Sequence, residues 1–343
     1  MADRVDVIVI GAGVFGLSCA LHLADVGAYV RLVDAQGAAR TNASSIAAGM
    51  LAPASEALAE GCDQNGFKLL LHARDRWPAF ADRIPGLIVH RDGADVRLSP
   101  DHPSKAILRL LLEGGVDFDE QIGAEPIRLP QDWRVDVQTA LAALDAALEQ
   151  RGVERVRGVV TADAAGRLAV DGERLVAETV VIAAGFQAVD LAPAAPELAS
   201  LSPIKGAILH FAGPPLQGRT QRTSGGYVVP QNDGARAGGT MEVGRADALV
   251  DAAVSERLST MALAIAPDLA GAAYTAHAGV RAATPDGWPL AGWSQTPGVL
   301  LATGARRNGW LLAPLIGEII ADLWRGAEPD PCARLFHPGR FNR

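Results

Sequence analysis

Three glycines fall within six residues, Gly11-Ala12-Gly13-Val14-Phe15-Gly16, and an acid, Asp34, follows. That spacing, with the acid about 20 residues beyond the glycines, is what a dinucleotide site requires. Gly11 permits a tight turn, Gly13 lets the backbone approach a pyrophosphate, and Gly16 lets a helix pack close to a strand. Val14 and Phe15 then open a helix whose free N–H groups and positive dipole end face two phosphates. Asp34 is placed to accept hydrogen bonds from ribose hydroxyls, and its charge would repel a further phosphate there. The apolar run Val7-Ile8-Val9-Ile10 leads into the glycines, and a second, Val30-Arg31-Leu32-Val33, ends at Asp34. Strand, turn, helix and strand together predict an adenine dinucleotide, NAD or FAD.

A different chemistry is available near the other end. Arg281 follows Ala278-Gly279-Val280, in a stretch short of charge, so its guanidinium needs a partner. That partner is either a ligand carboxylate, which a guanidinium fork holds in a bidentate way that lysine cannot, or a nearby acid such as Asp286. Tyr227, one of three tyrosines, begins an apolar run and is either packing or functional. His72, His90, His210 and His277 show neither HxxxH nor HExxH spacing, so no metal site is expected. There is no GxSxG for a serine hydrolase. Lys205 reads as a surface lysine without a catalytic role.

The elements that must position these residues follow from periodicity. A helical stripe runs over Val137, Leu141, Leu144 and Leu148. Short buried strands are expected over 179–184, ending at Ala184-Gly185, and over 298–304. Ala207–Phe211 and Tyr227–Pro230 read as strands, with Asn232-Asp233-Gly234 as a hairpin turn returning through Met241. Residues 56–130 carry little pattern beyond at least one helix near Phe67–Trp77. After Gly304-Ala305-Arg306-Arg307, a helix is expected with Asn308 as N-cap and Pro314 in its first turns. Its buried stripe is Leu312, Leu315, Ile316, Ile319, Ile320 and Leu323. The fold class is α/β (α+β overall): a mostly parallel, Rossmann-like sheet with an antiparallel sheet inserted.

The 343 residues, 49% of them hydrophobic and 20% charged, can build two domains or one large one. A net charge of -8 argues against a nucleic-acid surface. Cys19, Cys62 and Cys332 are far apart and suit a reducing compartment. The uncharged run from Val7 to Ala24 is broken by glycines and is not a membrane span, and no twin-arginine leader precedes it. A cytoplasmic protein is expected, with no membrane partner; a homo-oligomer is left open.

These stretches resemble the D-amino-acid oxidase-like flavoprotein family, and within it the glycine oxidases of the thiamine-biosynthesis type. The resemblance rests on the N-terminal fingerprint, on Ser44-Ser45-Ile46-Ala47-Ala48-Gly49-Met50-Leu51-Ala52-Pro53 and on Pro203-Ile204-Lys205-Gly206. Gly226–Pro230 with Gly239-Thr240-Met241, Ala278–Arg281 with Thr284–Gly287, and the helix start at Arg307-Asn308-Gly309 complete it. It implies non-covalent FAD, a discontinuous FAD domain (1–56, 131–189, 276–343) and a substrate domain (57–130, 190–275). It further implies that Ser44, Ser45, Ala47, Ala48, Gly49, Met50, Ala184, Gly185, Arg307, Asn308, Gly309, Leu311 and Leu312 join the glycine motif, Asp34 and Arg281 around the cofactor. Arg281 would hold the substrate carboxylate with help from Tyr227, and the backbone around Arg307 would lie near the amine. Met50 and Met241 would shape the pocket, with Gly225 widening its mouth. The implied reaction is oxidative deamination of glycine or another small amino acid, with O2 as acceptor. The alternatives are a D-amino-acid or N-methyl-amino-acid dehydrogenase with another acceptor, an NAD-dependent enzyme, and a tRNA-modifying enzyme.

Overall fold

The computed structural model of the chain describes residues 5–37, 40–97 and 126–341. Val7–Ile10 is a central strand, buried on both faces, which is why it reads as an unbroken apolar run. It pairs in parallel with Val30–Asp34 on one side and Thr179–Ile182 on the other. Glu154–Arg157 and Val299–Thr303 extend this six-stranded sheet, and Leu290–Trp293 closes one edge antiparallel.

The helices Val14–Asp25 and Gly309–Trp324 lie side by side on one face, sharing Leu17, Leu21, Leu315, Ile316 and Ile319 in the main core. Their approach is close: a Cβ on Gly317 would stand 2.5 Å from both Ser18 Oγ and His22 Nδ1. Pro314 lies in the second turn of its helix, within the first turns as expected. Nearby carbonyls take side-chain donors, Ala313 O from Ser18 Oγ (2.7 Å) and Leu311 O from Trp77 Nε1 (3.2 Å).

His22 is locked in this interface. Its Nδ1 donates to Ser18 O (2.9 Å), its Nε2 accepts from Arg83 Nη2 (2.8 Å), and its ring stacks on Phe80. Burial first, and the Arg83 charge second, push its pKa down to about 4. The folded protein therefore keeps a neutral imidazole where the unfolded chain takes up a proton below about 6.5. The contribution is complete above that pH and is lost as the pH falls toward 4, about 3 kcal/mol in all. Denaturation profiles should weaken across pH 6.5 to 4, and His22→Leu should flatten that decline. An unchanged slope in the variant would mean that His22 is already protonated when folded.

The second sheet is largely antiparallel and is built on the long strand Ser202–Ala212. Tyr274–Ala283 pairs with that strand along its whole length, in a register that sets Ile204 opposite Arg281 and Gly206 opposite Gly279. The Gly226–Gln231 and Gly234–Gly238 hairpin forms at the expected turn, but its return strand stops at Gly238, before Met241. Helix Ala252–Ile265 covers this sheet with Leu258, Ala262 and Ile265.

Two of the expected domain boundaries, at 56/57 and 275/276, fall within single elements, Pro53–Glu60 and Tyr274–Ala283. Position 276 falls inside the Tyr274–Ala283 strand, which goes with the antiparallel sheet. Helices Pro53–Glu60, Gln64–Arg74 and Trp77–Asp82 pack into the core of the parallel sheet through Ala54, Phe67, Leu70 and Trp77. They do not form part of a separate substrate layer. The helix expected near Phe67–Trp77 is Gln64–Arg74, with a second beginning at Trp77, and residues 98–125 of that segment lie outside the described residues. No helix among the described residues is long and apolar enough to cross a membrane.

Candidate active site

Two cavities meet beneath the antiparallel sheet. The first, about 510 Å³, runs along the carboxyl ends of the parallel strands. The glycines there act by sterics. Gly11 has φ +102, and a Cβ on it would come 2.6 Å from Ala183 O at the end of the neighbouring strand. A Cβ on Gly16 would collide with the Gly11 carbonyl, whereas one on Gly13 would meet only Ser44 Oγ, at 3.3 Å. Gly13 precedes the Val14–Asp25 helix without a side-chain cap, which turns first-turn amides toward the cleft. Asp34 stands at the strand end, accepting from Ala12 N (2.7 Å) and Gln36 N (2.9 Å).

The 42–50 loop forms the wall between the cavities. Asn42 caps the short helix Ala43–Ile46, and Ser44 Oγ accepts from Val14 N at 3.0 Å. From behind, buried Arg236 donates to Ser45 O (2.7 Å) and Ala47 O (2.8 Å), and Gln231 donates to Ala48 O. Gly49, at φ +73, lies so close to Val135 O that a Cβ would collide. The loop is thus set by groups that are themselves out of reach of a ligand.

The second cavity, about 530 Å³, shares Ala43, Ala47, Gly279, Arg281, Arg307 and Trp310 with the first. Arg281 reaches across the Ser202–Ala212 strand through the space left by Gly206, where a Cβ would collide with the guanidinium. Its Nη1 donates to Thr240 O (3.2 Å) and lies 3.5 Å from Met241 Sδ. Burial pulls its pKa down. Among the described residues no carboxylate forms an ion pair with it. Asp286, the alternative partner, is instead taken by Arg340 at 2.8 Å. Tyr227 places its hydroxyl over Gly238 and Gly239, next to Thr240; a Cβ on Gly238 would lie 2.8 Å from it.

Arg307 behaves differently from Arg281. Glu56 takes its Nε at 3.0 Å and its Nη2 at 3.2 Å, and Glu60 lies 3.6 Å from its Nη1. Glu60 also pairs with Arg306, and Glu56 with Arg222 at 3.2 Å. Glu56 and Arg222 were not singled out from the sequence, although two signals existed. Glu56 and Glu60 are four apart in Ser55-Glu56-Ala57-Leu58-Ala59-Glu60, and Arg222 alternates with buried Thr220 on one face of a strand.

The predicted residues divide four ways. Gly11, Gly13, Val14, Phe15, Asp34, Ser44, Ala184, Gly185 and Gly309 line the first cavity, and Ala48, Gly49, Met50, Gly225, Tyr227 and Met241 the second. Ala47, Arg281 and Arg307 line both. Gly16, Ser45, Asn308, Leu311 and Leu312 line neither. Leu311 and Leu312 face the core at 1% exposure, and Ser45 Oγ is turned inward to Arg40 O and Asn42 O. Asn308 occupies the N-cap position but makes no capping bond, and its Oδ1 is buried without a partner among the described residues.

Lys205 is not a surface residue: it is 3% exposed and paired with Asp247 at 2.7 Å. That pair anchors a turn whose Ala246 and Ala248 cover the first cavity. One group of metal-ligating types, His72, Asp330 and Cys332, gathers elsewhere, but Arg76 donates to the same Asp330 oxygen as His72.

The pattern of conserved features that defines the FAD dependent oxidoreductase family matches residues 6–323. The chain belongs to that family. It is 31% identical over 373 residues to the glycine oxidase of Pseudomonas aeruginosa, covering 96% of this chain and 98% of that one. The crystal structure of glycine oxidase from Geobacillus kaustophilus superposes with a TM-score of 0.81 at 28% identity, over 98% of this chain and 99% of that one. A bifunctional ThiO/ThiG protein of Nostoc sp. is 29% identical over 98% of this chain, but the chain spans only 55% of its length. The first cavity fits FAD: a glycine cradle with no side chain at Gly13, an acid at the strand end, Asp34, and a volume in the usual range for cofactors. This is an FAD-dependent oxidoreductase.

Proposed function

We propose that the chain oxidises a small amino acid at its Cα–N bond. Arg281 carries the reading: a half-buried guanidinium at the junction of the two cavities with neutral partners only. An amino-acid carboxylate is the complement such a fork lacks. Tyr227 stands beside it to accept or donate a further hydrogen bond, and Met50 and Met241 give the cavity apolar walls. Bound FAD would supply a two-electron acceptor for the Cα hydride. The protein's part is orientation, which holds the Cα–H toward the first cavity while Arg281 fixes the other end. Loss of the hydride and one amine proton gives the imine, and water converts it to the 2-oxo acid and ammonia. O2 takes up the two electrons with two protons as hydrogen peroxide. Cys19, Cys62 and Cys332 line neither cavity, in keeping with a non-covalent cofactor.

The test is the visible spectrum of the purified protein mixed with glycine in the absence of air. Bleaching of the oxidised-flavin band supports the reading. A band that stays unmoved with glycine, sarcosine, small D-amino acids and small amino- or imino-dicarboxylates alike defeats it. Peroxide formed per substrate consumed then decides between O2 and another acceptor.

A further inference from the structure

Arg281 is not the only guanidinium in the second cavity with donors to spare. Its lining holds Arg97, Arg222, Arg281 and Arg307 against a single described carboxylate, Glu56. Glu56 and Glu60 engage Nε and both terminal nitrogens of Arg307. Arg222 is different: only Nη1 is engaged, by Glu56 Oε1 at 3.2 Å and Met50 Sδ at 3.6 Å. Its Nε and Nη2 have no partner among the described residues, yet neither is sealed from the cavity. The side chain is 10% exposed, so these donors face the cavity rather than bulk solvent.

The two guanidiniums stand on either side of Tyr227. Arg222 lies over its ring, 5.8 Å from the centroid. Arg281 lies beyond its hydroxyl, where Gly238, Gly239 and Thr240 bring the backbone close. One small carboxylate satisfies one fork. A monocarboxylic amino acid on Arg281 would leave the donors of Arg222 desolvated and unmet, an arrangement that costs free energy unless the ligand supplies a second acceptor.

We infer that the substrate of this site carries two acidic groups. It is a small amino- or imino-dicarboxylate, with the α-carboxylate on Arg281 and the second carboxylate on Arg222. The inference rests on the amino-acid oxidase reading and narrows its substrate class. Arg97, exposed at the cavity mouth, adds attraction without a formed site. The reaction is unchanged: the same hydride and amine proton leave, and the second carboxylate stays intact.

The test begins with the FAD-loaded wild-type protein and carboxylates that cannot be oxidised. Succinate and malonate are compared with propionate and acetate, through the shift of the flavin band and quenching of tryptophan fluorescence. The dicarboxylates should bind at least tenfold more tightly. Arg222→Gln should bring that ratio close to one, and Arg222→Lys should restore part of it. Arg97→Gln makes the same change of charge at the mouth and should move the ratio less than twofold. With oxidisable probes, Arg222→Gln should lower kcat/KM for iminodiacetate or D-aspartate at least tenfold more than for glycine.

Equal affinities for the two classes in the wild type would overturn the inference, even if Arg222→Gln fails to fold. So would a ratio that Arg222→Gln leaves intact, or one that Arg97→Gln abolishes equally. If glycine bleaches the flavin while dicarboxylates bind no better than monocarboxylates, only this inference falls. If neither class binds and no amine bleaches the flavin, the amino-acid reading falls with it.

Discussion

Arg281→Ala should lower kcat/KM for the amino-acid substrate by about 10²- to 10³-fold, mainly through KM, while the protein keeps its FAD. The magnitude follows from losing a bidentate, charge-assisted pair in a desolvated site, roughly 3–4 kcal/mol. Arg281→Lys should recover little of it. An ammonium is a point charge, and the Gly206 gap is shaped for a planar group lying across the strand. FAD retention is expected because the glycine cradle and the 42–50 loop are built without Arg281. That loop is held by Arg236 and Gln231, which line neither cavity. Steady-state kinetics with the 450 nm flavin absorbance of the purified variant would check both halves. A variant that retains its KM would show that the carboxylate is held elsewhere. A variant that loses flavin would make Arg281 part of the cofactor site, which it also borders.

Gly206→Ala offers the same comparison without touching a charge. The new methyl would displace the guanidinium, so substrate affinity should fall in the same direction. This is the reason Pro203-Ile204-Lys205-Gly206 is legible as a motif at all: the glycine is a gap for a side chain 75 residues away in sequence. Gly11, Gly13 and Gly16 were legible for a related reason. Each answers a local steric demand that only glycine meets, so residue type and spacing carry the information. The parallel strands were legible because burial on both faces leaves continuous apolar runs.

The charged residues of the second cavity were not legible in that way. Glu56 and Arg222 are 166 positions apart, and nothing in either neighbourhood names the other. Lys205 sits where strand alternation could direct it either way, and its burial is decided by Asp247, in a turn that has no regular period. The helix start at Asn308 followed local propensity, but its side chain makes no capping bond, which local propensity does not foresee. Local rules locate the cofactor cradle, whereas the pairing of Glu56 with Arg222 and Arg307 in the second cavity is a product of tertiary contact.

Glu56 is where that tertiary contact carries most weight for stability. It is 5% exposed and is shared by Arg222 and Arg307. Glu56→Gln should destabilise the protein by about 3 kcal/mol, because two largely desolvated guanidiniums lose their only common acid. Discounting for the partial exposure of Arg307, at 22%, keeps this at the low end for a broken buried pair. The fall in Tm should be roughly 4 °C for a chain of this length. The cause can be separated from mere loss of packing by a double-mutant cycle. Glu56→Gln with Arg222→Gln should be less destabilised than the sum of the single changes, because the orphaned charge is then gone. Added formate or acetate should also recover part of the Tm of Glu56→Gln, by occupying the vacated position between the arginines. Strict additivity, with no recovery by either anion, would mean that Glu56 contributes through shape alone and that the arginines do not need its charge.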